Sequence, residues 1–191
     1  MDTYGVTFDI TRPEKFEKGQ VIMRIVVFIF LGWWVTGVAY LALPIMAALG
    51  VASKGSQGFL AEDGGRMKHW VAVLTGLMAF MYSASDKLSF DKPEEAIRLE
   101  IATRGTPSVG SALLRLIFSI PSAIVLGILG YVAAIIWLIA TVMILVQDNY
   151  PEDLFNFLRG YLRWTARLLA YHSSLVDGYP PFALDNAPAA A

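Results

Sequence analysis

Leu116 to Gln147 reads LIFSIPSAIVLGILGYVAAIIWLIATVMILVQ and contains no charged residue. A membrane-crossing helix needs about 20 consecutive apolar residues, and this run exceeds that length. The uncharged stretch between Arg24 and Lys54 does so too. A third, Trp70 to Ser85, is shorter and more polar, with Thr75, Gly76, Tyr82 and two serines, and suits an interfacial position. The rest of the chain agrees with these runs. Hydrophobic residues make up 56% of the 191 and charged residues only 16%, against about 25% in soluble chains. A net charge of -1 leaves no footprint for nucleic acid, and the absence of Cys removes thiolate chemistry and Cys-type metal sites. Some twenty mixed-charge residues precede the first run, which is also too long for the h-region of a signal peptide. The composition is that of an integral membrane protein.

Outward from the two long runs, the chain repeats itself. VTFDITRPEKFEKGQVIMRIVVFIF from Val6 parallels IRLEIATRGTPSVGSALLRLIFSIP from Ile97, with Arg24 and Arg115 each just inside an apolar run. Farther on, Trp70, Asp86 and Phe90 align with Trp164, Asp177 and Phe182 through small gaps. The expected organisation is a first, degenerate membrane repeat over 1–92, a second over 93–183 and a C-terminal tail over 184–191. Val6, Phe8 and Ile10 alternate with polar residues, as do Ile97, Leu99 and Ile101, which marks two half-buried strands. Sister strands satisfy each other's backbone groups if they pair; the alternative is two ordered but unpaired linkers.

Topology is read from charge. Lys and Arg occur in every polar segment, so no segment marks the positive-poor side of a membrane. Each apolar run is therefore expected to enter and return as a helical hairpin, turning near Gly32 and Gly37 in the first and Gly127 and Gly130 in the second. Legs of about 14 residues reach roughly 21 Å, short of a core of about 30 Å, which keeps one long tilted span as the competitor. The fold class is an all-α membrane protein of two pseudo-repeats, each a short strand, a hydrophobic hairpin or one long tilted span, and an interfacial amphipathic helix.

That last helix begins at Pro151-Glu152-Asp153, residues suited to a first turn. Arg159, Arg163 and Arg167 recur every four residues as one cationic stripe, beside Tyr161 and Trp164 at the depth of headgroups. Together with Arg24 and Arg115 they are the residues expected to contact anionic lipid headgroups or a partner; pairing with acidic residues of the same chain is the other use of such a stripe. Asp177-Gly178-Tyr179-Pro180-Pro181-Phe182 reads as a helix stop that lays Phe182 on the bundle.

The combination of LLRLIFSIP, YPEDLF, FLRGYLRW and DGYPPF resembles the bacterial membrane proteins of domain-of-unknown-function family 4389, over roughly Ser111 to Phe182. The first half resembles it only loosely, lacking YPEDLF and YPPF. The resemblance implies a small protein of the bacterial inner membrane and supplies no catalytic residues; a multi-pass topology with the polar segments mainly cytoplasmic is what the apolar runs and the charge distribution lead one to expect.

Motifs for catalysis are missing: there is no G-x-S-x-G, H-E-x-x-H, P-loop or G-x-G-x-x-G. His69 and His172, with Asp86 and Asp177, form a metal or proton-transfer set only if the two aromatic helices bring them together; separate, satisfied histidines are the simpler expectation. No catalytic, cofactor or metal site is expected. The expected function is that of a non-enzymatic scaffold or accessory subunit of a larger inner-membrane complex. Aromatics such as Phe28, Phe30, Trp33, Trp34 and Trp137 and small-residue faces (Ala123 with Gly127, Gly130 with Ala134) would pack against other subunits or a second copy. The alternative is a lipid-handling protein that uses its cationic interfacial helix.

Overall fold

The computed structural model describes residues 4–185, without the side chains of Trp33 and Thr36. The end of the expected tail, 186–191, lies outside the described residues, and the packing expected of Trp33 lies outside the described side chains. The fold is mostly helical. Strand β1 (Val6–Asp9) leads into α1 (Gln20–Gly58), a π-helical turn at Phe59–Asp63 and the returning helix α2 (Gly64–Met81). A single 3-10 turn at Pro93–Glu95 precedes β2 (Arg98–Ile101), then α3 (Val109–Phe118), α4 (Ile120–Gln147) and the returning helix α5 (Glu152–His172).

Each half is a helical hairpin, but the turns are not where the glycines suggested. α1 runs on through Gly32 and Gly37, and α4 through Gly127 and Gly130. A glycine inside a helix costs about 1 kcal/mol relative to alanine, whereas a turn inside an apolar run strips backbone groups of their partners. The chain therefore turns in polar segments. The first reversal starts at Gly55 (φ 71°, ψ 173°), and the second uses Asp148 (φ 62°) followed by Pro151. The hairpin expected within each apolar run is thus corrected to one long helix per run. TM-length is met twice: Gly37–Met81 and Ile120–Gln147 contain segments long and apolar enough to cross a membrane.

The strands pair antiparallel, with Val6 opposite Ile101, Thr7 opposite Glu100, Phe8 opposite Leu99 and Asp9 opposite Arg98. The two hairpins lie head to tail. Phe16 N–H at the base of the first donates to Asp148 O in the turn of the second (2.8 Å), and Tyr150 Oη in that turn donates to Ser83 O at the base (2.8 Å).

α5 is the central helix, not an interfacial one. Every residue from Gly160 to His172 is buried. Its Tyr161 and His172 side meets Gly130 of α4 and Tyr40 of α1. Its Arg163 and Arg167 side meets β1 and the segment after Phe182. The expected amphipathic surface helix is corrected accordingly, because both of its faces have protein to cover them.

Candidate functional site

Arg24, Arg115, Arg163 and Arg167, expected to reach outward, are held inside the fold. Arg24 is 1% exposed and donates to Ser85 O (3.3 Å) and to Asp86. Arg115 is 3% exposed and donates to Tyr171 O (2.7 Å), to Val176 O and to Asp177 (2.7 Å). Each guanidinium lies over an aromatic ring, Arg24 over Phe80 at 5.5 Å and Arg115 over Tyr171 at 4.6 Å. Each carboxylate also accepts a backbone N–H from the segment that enters its hairpin, Glu17 onto Asp86 (3.2 Å) and Thr106 onto Asp177 (2.9 Å). These are latches that close the base of each hairpin. Burial lowers the pKa of Arg24, and its partner Asp86 opposes that shift.

The two latches match at the arginine, the aspartate and the helix end, while the backbone donors Glu17 and Thr106 stand two residues out of that register. Arg24 to Asp86 and Arg115 to Asp177 both span 62 residues. α2 and α5 end alike, with Ser83 and Ser174 in the left-handed region at the same φ of 58°. The next N–H closes each helix end, Ala84 onto Ala79 O (2.8 Å) and Leu175 onto Ala170 O (3.2 Å), which is the Schellman pattern. This register has no gaps, and it separates Trp70 from Trp164 and Phe90 from Phe182. Trp70 is half-exposed on α2 while Trp164 is buried against Phe182, so those matches are corrected.

The α5 stripe turns inward. Arg163 donates through Nε to Phe8 O (3.0 Å) and through Nη1 to Leu184 O (2.9 Å). Arg167 donates to Ala183 O (3.1 Å) and Asp185 O (3.0 Å). Arg159 reaches Asp9 at 3.5 Å and keeps one third of its side chain exposed. Burial, reinforced by the neighbouring Arg159, lowers the pKa of Arg163. Trp164 packs edge-on against Phe182 and Tyr161 against Tyr82, both buried. Of the seven residues expected to touch headgroups or a partner, Arg159 keeps one third of its side chain exposed and the others are buried. Arg24, Arg115, Arg163, Trp164 and Arg167 pack inside the chain, and Tyr161 does so beside Gly130. Unpaired carbonyls of β1 and of the C-terminal segment need donors, and the arginines are the donors at hand.

His172 is buried edge-on against Tyr40 (4.8 Å), and burial pushes its pKa down to about 4. His69 is exposed on α2, in a shallow pocket with Glu94 and Leu99. Asp86 and Asp177 serve the latches. Among the described residues no group of three or more His, Asp or Glu is placed to hold a metal ion.

A cleft of about 330 Å³ lies between α1 and α4. Gly32, Gly37, Gly127 and Gly130 keep it open, and Phe28, Tyr82, Tyr131 and Tyr161 line it. The glycines first read as turn signals are its only legible trace. The cleft opens in a broad apolar face. Large exposed apolar side chains are concentrated on α1, α3 and α4, among them Trp34 (74%) and Val146 (76%), and α5 and the strands contribute none.

No curated protein and no solved structure matches this chain. One family does: residues 110–183, from the first turn of α3 through α5 to the segment after Phe182, match the family described as a domain of unknown function (DUF4389), and the second half of the chain carries that domain.

Proposed function

We propose that this chain is a non-enzymatic protein of the bacterial inner membrane that works as a scaffold or accessory subunit of a larger complex. The observation that carries membrane residence is the concentration of exposed large apolar side chains on α1, α3 and α4. Contiguous apolar patches beyond a few hundred Å² mark membrane or protein contact in folded proteins. We also read the two halves, 1–92 and 93–183, as a tandem duplication. Support comes from the equal latches, the matched left-handed serines and a ladder register that sets Phe8 against its own counterpart, Leu99.

A lipid-handling role is the second reading, and its support moves from the arginine stripe to the cleft between α1 and α4. An apolar slot floored by tyrosine rings suits an acyl chain. Two measurements decide. Retention in the membrane pellet through an alkaline wash is expected, and release into the supernatant overturns membrane residence. Native mass spectrometry after gentle detergent extraction is then expected to find the chain in a larger protein assembly. A lone chain carrying lipid favours lipid handling, and a lone bare chain overturns both roles.

A further inference from the structure

We infer that the free-standing chain does not cross the bilayer but lies side-on in one leaflet, with α1, α3 and α4 in hydrocarbon and the β1–β2 ladder in water. The inference rests on membrane residence. It follows from what lies level with the middle of α4.

On one side of α5, Tyr161 meets Gly130 of α4; a Cβ on Gly130 would lie 3.3 Å from the Tyr161 hydroxyl. Half a turn along and on the opposite side, Arg163 holds Phe8 O of β1. The strand ladder therefore sits level with Gly130, across the thickness of the molecule. At about 1.5 Å per residue, Gly130 is roughly 15 Å from Ile120 and roughly 25 Å from Gln147. If α4 crossed a core of about 30 Å, the ladder would be inside it.

The ladder is not built for hydrocarbon. Arg98 and Glu100 are exposed on it, and Asp9 with Arg159 is half-exposed beside it. Among the described residues it has two strands, so each presents an outer edge of backbone groups without a strand partner. Ionised side chains at the bilayer centre are costly, and lipid-exposed sheet edges do not occur there.

The opposite face has the reverse character. From Ile22 to Leu49 on α1 and from Ile120 to Val146 on α4, the only polar groups on exposed described side chains are the Tyr131 hydroxyl and the Trp34 indole N–H. Arg24 and Arg115, the cations bordering these stretches, are turned inward. Each stripe runs about 40 Å at 1.5 Å per residue, longer than a core of about 30 Å is thick, so lying flat uses all of it. Protein interfaces carry about one hydrogen bond per 100–200 Å², and this face has almost nothing to donate or accept. Lipid is the occupant that asks for no hydrogen bonds.

The chain has no Cys, so single cysteines report position cleanly. Lys15→Cys, Gln57→Cys and Glu100→Cys lie at exposed positions before α1, at its far end and on β2, and Ile128→Cys lies on the apolar face. Each is treated with a membrane-impermeant maleimide in right-side-out and in inside-out vesicles. Side-on seating gives full labelling of the first three in the same vesicle type, none in the other, and no labelling of Ile128→Cys until detergent is added. Labelling of Lys15→Cys and Gln57→Cys in opposite vesicle types, with Glu100→Cys protected, means that the chain crosses and overturns the inference. So does labelling of Ile128→Cys in intact vesicles. A wild-type chain that leaves the membrane on alkaline washing and has the native mass of two copies overturns membrane residence itself, and marks the face as a contact between copies.

Discussion

α2 and α5 return along their hairpins, end in the same Schellman turn and are closed by the same kind of latch, yet each meets its covering strand in a different way. Where α5 carries Arg163 and Arg167, the latch register puts Ala72 and Gly76 on α2. The segment before β2 lies directly on α2 there: a Cβ on Gly76 would sit 3.8 Å from Ala96 Cβ and 3.9 Å from Pro93 Cβ. On α5 the guanidinium groups stand between helix and strand and bond the carbonyls of Phe8, Ala183, Leu184 and Asp185. One half is held by close approach and the other by charged struts. Cations on a helix, even in a chain poor in charge, are thus no guide to its surface.

The largest expected contrast is between Arg167→Met and Gly76→Ala, at equivalent positions. Arg167→Met leaves the Ala183 and Asp185 carbonyls without these donors and should cost about 3 kcal/mol, given that bonds to charged groups contribute about 1.5–3 kcal/mol each. Gly76→Ala meets only ordinary contact distances and should be neutral or stabilising by up to about 1 kcal/mol through helix propensity. Denaturant unfolding of the detergent-solubilised variants measures both, and equal costs would break the contrast.

His172 makes the second test, since its counterpart on α2 is the apolar Met81. With a pKa near 4 in the fold against about 6.5 when unfolded, His172 is buried neutral. The unfolded chain takes up its proton first as pH falls. Its contribution is therefore full above about pH 6.5, is lost progressively towards pH 4 and levels off below that. The whole loss is about 3 kcal/mol at 1.36 kcal/mol per unit. Thermal unfolding across this window should show a steeper pH dependence for wild type than for His172→Phe, and parallel curves would remove the assignment.

The latches differ in exposure, and that sharpens the comparison at smaller scale. Asp86 is 15% exposed and Asp177 44%, while Arg24 and Arg115 are buried alike. Asp86→Asn leaves a buried guanidinium short of its counter-charge and should cost about 2–3 kcal/mol; Asp177→Asn, screened by water, should cost about 1 kcal/mol. Unfolding midpoints in the reverse order would contradict the burial argument. The smallest effect should be the same in both halves. Ser83 and Ser174 hold positive φ, and each buries an Oγ without a hydrogen-bond partner. Ser83→Gly and Ser174→Gly relieve both costs, and each should raise stability by about 1 kcal/mol. A gain in one half and a loss in the other would mean that the two turns are less alike than their geometry.

Some of this was legible residue by residue. Alternation in VTFDI and IRLEI identified two strands, and the demand that backbone groups find partners favoured their pairing over two unpaired linkers. Arg24 with Arg115 and Asp86 with Asp177 were visible as matched positions, though nothing in their spacing said that each arginine would meet the aspartate 62 residues on. The turn sites were misread because glycine in an apolar run signals either a bend or a close approach. Gly130, beneath Tyr161, is the second kind.

By itself the sequence determined the elements in outline: two long apolar runs, two short strands, a charge-poor chain and a second half that matches a family of unknown function. Period and hydropathy are local properties, and they carry that much. Only the tertiary structure decided which way the elements face. A four-residue repeat puts Arg159, Arg163 and Arg167 on one side of α5 whatever that side meets. Whether it meets water, headgroups or the carbonyls of β1 depends on where a strand some 150 residues earlier comes to lie, and the chain's own periodicity holds no record of that.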